Sequence, residues 1–79
     1  MTSPIEDAIF ERLAAIEAGK SVSPEEIARA VDAENWRRVL AQVRATAVGL
    51  ARQDRLVITR HGKPVDPNSL KGVYRLRLP

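Results

Sequence analysis

Apolar residues open the chain at helical steps. Ile5, Ile9, Leu13 and Ile16 stand three or four apart and make one stripe, with Phe10 on its edge. Ser3-Pro4 just ahead of the stripe reads as an N-cap followed by proline at the first helical position. Glu6 and Asp7 then put negative charge in the first turn, where the helix dipole favours it. Gly19 is the residue expected to end this helix. Ser21-Val22 predicts a one-rung edge strand. Ser23-Pro24-Glu25-Glu26 is the sharpest local signal: Ser23 caps, Pro24 begins the helix and Glu26 reaches back to complete a capping box. The second helix is predicted over Pro24–Val31, burying Ile27 and Val31.

Asp32-Ala33-Glu34-Asn35 predicts a turn that also caps a third helix, running from residue 33 or 34 to 53. Trp36, Val39, Leu40, Val43, Ala47 and Leu50 share its apolar side. Arg38, Ala41, Gln42, Ala45, Gly49 and Arg52 lie opposite, flanked by Arg37 and Arg44. Asp54 stands where a glycine would be easiest, and Asp tolerates the left-handed conformation better than most residues. The period then changes to two. Leu56 and Ile58 point one way, Val57 and Thr59 the other. Residues 73–78 repeat the pattern, with Tyr74, Leu76 and Leu78 inward and Arg75 and Arg77 outward. Residues 61–72 hold two prolines and two glycines and are expected to be irregular. A connection of that length often carries function.

This order predicts one winged-helix domain over residues 1–79. It is mainly α with a small β-hairpin wing (α+β): three helices and a two- or three-stranded antiparallel sheet. The helix-turn-helix falls at about 24–53 and the wing hairpin at about 55–78.

Seventy-nine residues suffice for one core, and with 44% apolar but 4% aromatic residues, aliphatic side chains must fill most of it. The absence of cysteine excludes disulfides, thiolate metal sites and a thiol nucleophile. No apolar run approaches the ~20 residues of a membrane span, and the acidic opening segment lacks an apolar signal core. A cytoplasmic protein with no membrane association is the expectation.

Charge changes the picture more. The net charge is only +3, yet residues 1–35 set Arg12, Lys20 and Arg29 against eight acids, whereas residues 36–79 set ten Lys and Arg against Asp54 and Asp66. Either the domain has a basic working face and an acidic back, or the two halves pair with each other.

In a helix-turn-helix the second helix of the pair presents its early residues to base edges in the major groove. Here those are Asn35, Arg37, Arg38, Ala41 and Gln42. Arg can fork onto guanine, and Asn or Gln onto adenine. Arg60, His61, Lys63 and Lys71 would place positive charge on the wing, with Arg75 and Arg77 extending it along the sheet. The candidate nucleic-acid-binding set is therefore Asn35, Arg37, Arg38, Gln42, Arg60, Lys63, Lys71 and Arg75. The plainer reading makes the helix arginines a solvated face and the strand arginines a guard against edge pairing. Glu34 argues mildly against DNA. Trp36, in phase with the buried stripe, is expected to anchor the core. Arg44 is expected to lay its stem over apolar surface and pair its head with an acid such as Asp66. Asp66-Pro67-Asn68-Ser69 reads as a turn in which Asp or Asn side chains bond local amides.

An enzyme is not expected. His61 is the single histidine and has no neighbouring ligand or orienting group. The four glycines are too scattered for a phosphate cradle. No cofactor or metal is implied. DNA is the expected partner; the alternative is a protein-interaction adaptor using the shallow Ala41, Ala45, Gly49 stripe. A monomer or weak homodimer fits either.

A set of segments resembles a small bacterial winged-helix family catalogued as domain of unknown function 3253. They are Glu34-Asn35-Trp36-Arg37, Val43-Arg44, Leu56-Val57-Ile58-Thr59, Gly62-Lys63-Pro64-Val65-Asp66-Pro67 and Lys71-Gly72-Val73-Tyr74-Arg75-Leu76. The resemblance runs from about Ile5 onward. Asp54 departs from the glycine expected in its turn. The resemblance implies a fold and transfers no functional residues.

Overall fold

Helix α1 spans Pro4–Ala14 in the computed structural model, which describes residues 3–79. Ser3 caps it, its Oγ accepting the Glu6 amide at 3.1 Å, and Ile5, Ile9 and Leu13 are buried. The helix stops five residues short of Gly19. The Ala15 amide donates to the Arg12 carbonyl at 3.2 Å, tightening the last turn, and Lys20 donates to Glu17 at 3.1 Å to close a separate turn. Gly19 serves that second turn with φ +86°. The early stop lets the chain reverse in time to set Val22 beside Leu76. These two residues exchange both backbone hydrogen bonds, at 2.8 and 2.9 Å, which is the single rung expected at Ser21-Val22.

Helix α2 covers Pro24–Val31. Its capping box is complete: the Glu26 amide donates to Ser23 Oγ at 3.1 Å and the Ser23 amide to Glu26 Oε2 at 2.8 Å. Ile27 and Ala28 are buried. Val31, expected inside, is half-buried, because the chain leaves the helix at once through extended backbone at Asp32.

Helix α3, Trp36–Arg52, begins later than predicted. Asp32 Oδ1 accepts the amides of Glu34 and Asn35 at 3.2 and 3.1 Å, so both belong to a turn outside the helix. Asn35 is the N-cap by position, without a side-chain cap of its own. Val43, Ala47 and Leu50 are buried, while Val39 and Leu40 are half-buried. Trp36 packs against the core on the side its phase predicts, but it is only half-buried. It is the first helical residue, covered on part of its surface, and the Arg29 and Arg37 guanidiniums lie 4.6 and 4.8 Å from its ring centroid.

At the other end Asp54 adopts the left-handed conformation, φ 59°, as predicted. Asp54 donates to Ala51 at 3.1 Å and Arg55 to Leu50 at 3.0 Å, the two bonds of a Schellman cap. Arg55 then reaches back to α1, with Nη1 2.9 Å from Glu6 Oε1 and its guanidinium 5.1 Å from the Phe10 centroid.

Strands β1 (Val57–Arg60), β2 (Lys63–Pro64) and β3 (Arg75–Arg77) form an antiparallel sheet in the order β2-β1-β3. Residues 61–72 are more regular than predicted. His61 and Gly62 both take positive φ, 53° and 80°, and close a tight hairpin with Arg60 opposite Lys63. Pro64, which lacks a donor, sits on the edge strand, where that lack is tolerated. A 3-10 turn, Pro67–Ser69, follows, with Asp66 accepting the Asn68 amide at 2.9 Å as expected of that segment. The last strand is shorter than 73–78. Val73 and Leu78 fall outside the paired residues and are exposed. Thr59, assigned outward from the alternation, is buried between its partners Pro64 and Arg75.

Three helices and a three-stranded sheet in this order give the winged-helix layout predicted. Ile9, Val22, Ile27, Val43, Ile58 and Leu76 are the largest fully buried side chains among the described residues, drawn from every layer.

The capping box makes a direct prediction. Ser23→Ala should cost about 1 kcal/mol of stability by denaturant unfolding at neutral pH. The Ser23 backbone amide, opposed by partial burial and reinforced by the Ser23 hydroxyl and by Arg12, holds the Glu26 carboxyl below its usual range. A depressed folded-state value stabilises above the ordinary glutamate range, and that contribution is lost as pH falls through the lowered value. Glu26→Gln should therefore lose less stability than the native chain between neutral and acid pH.

Candidate nucleic-acid interface

Opposite charges in this domain meet mostly within the acidic half. Among the described residues the ion pairs are Arg12–Glu26 at 3.6 Å, Arg29–Glu25 at 2.6 Å and Arg55–Glu6 at 2.9 Å. Only the last joins the two halves of the sequence. Mutual neutralisation thus accounts for one of the ten cations beyond residue 35; the other nine form no ion pair with a described residue.

The outward side of α3 carries Arg38, Ala41, Gln42 and Ala45, all exposed, with Gly49 half-exposed. Toward the C-terminal half, Ala41, Ala45, Val48 and Gly49 floor an open groove of about 380 Å³ between Arg44 and Arg52. Both arginines hold the wing loop. Arg44 Nη2 donates to the Leu70 carbonyl, and Arg52 Nε donates to Asn68 Oδ1 at 2.9 Å. Arg60 crosses the same loop from β1. It lies against Gly72, at φ +68°: a β-carbon there would be in ordinary van der Waals contact with Arg60 Nη2, at 3.4 Å. Lys71 is exposed within the loop.

Three guanidiniums and one ammonium therefore line residues 68–72, beside the C-terminal half of α3. Arg44 does not pair with Asp66 as expected: its head goes to the Leu70 carbonyl, while Asp66 caps the 3-10 turn. The difference matters electrostatically. A carbonyl acceptor satisfies a guanidinium donor without cancelling its charge, whereas a carboxylate would cancel it. The same charge opposes the effect of burial on Tyr74, whose phenol is nonetheless pushed above its ordinary value.

The other candidates divide. Arg38 and Gln42 stand on the helix face with no side-chain bond to a described residue. Lys63 is exposed beside the hairpin turn, with His61 at the tip. Asn35 lies at the helix entrance, its amide held by Asp32. Arg37 is drawn against Trp36. Arg75 turns to the opposite edge of the sheet, donating through Nε to Ser21 Oγ at 2.7 Å and through Nη2 to the Ser21 carbonyl at 3.0 Å.

Arg44 and Arg52 were not among the predicted contacts. The signal for them was Leu70, an apolar residue in a polar loop. Its burial requires the loop to fold back onto the helix bearing both arginines.

A second, apolar cleft of about 290 Å³ lies at the start of α3. Pro24, Trp36, Leu40, Val73 and Tyr74 line it, with Ser23, Glu25, Gly72 and Arg75. No helix among the described residues is long and apolar enough to cross a membrane.

Residues 2–79 match the model of a family described as a protein of unknown function, DUF3253. The chain belongs to this family. A search of curated proteins finds no match. The DUF3253 match extends over the whole described chain, a little further than the segments from Ile5 onward that first suggested it.

In this DUF3253 domain the wing loop is positioned by side chains of α3. Replacing Arg44 and Arg52 together by Ala should speed amide hydrogen exchange at Asn68 and Ser69, whose amides bond within the loop to Asp66. Amides of β1 should keep their protection.

Proposed function

We propose that this domain binds duplex DNA, with α3 laid in the major groove and the wing loop on the flanking phosphates. The observation that carries the reading is the distribution of charge. Three acids of the first half, Glu26, Glu25 and Glu6, are met by Arg12, Arg29 and Arg55, while Arg44, Arg52, Arg60 and Lys71 gather along one loop without a carboxylate partner among the described residues. A polyanion supplies the missing countercharge, and release of its condensed cations drives association. The small floor of Ala41, Ala45 and Gly49 permits close approach of the helix backbone. In a helix-turn-helix the second helix of the pair enters the groove, which favours α3 over α2. Glu25 and Glu26 at the start of α2 would repel phosphates from that end.

This reading makes the protein a binding module and not an enzyme, acting in the cytoplasm; a small transcriptional regulator is the simplest such role. A second reading, a protein-interaction adaptor, is favoured by the apolar cleft at Trp36 and Leu40, beside which Val73 is 82% exposed. One stoichiometric protein partner with no affinity for DNA would select it.

Fluorescence anisotropy on random-sequence duplex across a salt series tests the main reading. With about five cations on phosphates (Arg44, Arg52, Arg60, Lys63 and Lys71), log K should fall against log salt with a slope of roughly −4 to −5. Arg60→Ala with Lys71→Ala should reduce the slope by about 2. Binding indifferent to salt, or none at low salt, would overturn the proposal.

A further inference from the structure

The structure narrows which side chains can read sequence, an inference that rests on the DNA reading above. Base readout from a helix needs long polar side chains that face outward and are not already engaged. On α3 most candidates fail one condition. Ala41, Ala45 and Gly49 carry no polar group. Arg44 and Arg52 are held by the wing loop, and Arg37 lies over Trp36. Two remain: Arg38 and Gln42, both exposed, one helical turn apart, and with no side-chain bond to a described residue.

We infer that Arg38 and Gln42 are the base-reading pair of this domain, and that its preferred duplex element is a guanine and an adenine close together. The chemistry follows from donor geometry. The planar fork of Arg matches guanine O6 and N7, and the carboxamide of Gln matches adenine N6 and N7. The spacing follows from helix geometry. Four residues rise about 6 Å, and base pairs step by about 3.4 Å, so the two bases lie within about two steps. The domain discriminates at these two positions and is indifferent elsewhere, because its other contacts go to phosphates. A wrong base at either position lowers affinity by about 5- to 150-fold.

The test is enrichment of a randomised duplex library by the purified chain, followed by anisotropy on the selected duplex and on duplexes altered at each selected base. The native chain should require one G and one A within two steps. Gln42→Ala should abolish discrimination at the adenine alone. Arg38→Ala removes every donor at that position, so it should abolish discrimination at the guanine alone. Salt-dependent binding with no base preference, or a preference that both variants retain, overturns this inference and leaves DNA binding standing. Failure of the native chain to bind any duplex overturns both.

Discussion

Leu76 is the residue on which the arrangement of this domain depends. Its side chain is fully buried, its backbone N–H and C=O both go to Val22, and it stands directly opposite Ile58 in the register of β1 and β3. One residue near the end of the chain thereby fixes the sheet to the segment joining α1 and α2. A strand held in this way cannot slip by one position without turning Leu76 out of the core and Arg75 or Arg77 into it. The register sets the rest. It places Tyr74 inward, leads Gly72 past Arg60, and brings residues 68–70 within reach of Arg44 and Arg52.

The electrostatic character of the molecule follows from which acceptors that geometry offers. In the first half, arginines meet carboxylates. Around the wing they meet a backbone carbonyl and a side-chain amide. Both kinds of bond satisfy the guanidinium donors, but only the first removes charge from the surface. The loop is thus anchored by the same groups that make it electropositive. A basic surface built this way is more ordered than one made of free lysines, because fewer rotamers are lost when a partner arrives.

What could be read from the sequence was what is decided locally. The two serine caps, the Schellman turn at Asp54 and the Asp66 cap each involve residues within a few positions, so side-chain type alone specified them. The misreadings have distinct physical causes. Gly19 looked like a helix stop, but it serves a later turn. His61-Gly62 closes a tight hairpin with a residue other than glycine at positive φ, which is uncommon, and Pro64 signalled irregularity where an edge strand lies. Trp36 had the right phase but stands at the end of its helix, where phase does not ensure cover. Within the site, the exposure of Arg38 and Gln42 was legible from periodicity. The partners of Arg44, Arg52 and Arg75 were not, because backbone carbonyls and side-chain oxygens are plentiful and nothing local indicates which one a long side chain will find.

The central claim is that the outward face of α3 and the wing loop act as a single surface for a polyanion. Mapping backbone amide shifts of the labelled chain as a short duplex is added tests it most directly. The account predicts perturbations confined to residues 38–52 and 60–72, with α1 and the start of α2 unmoved. Shifts clustered instead around Pro24, Trp36 and Val73, or no shifts at all, would contradict it.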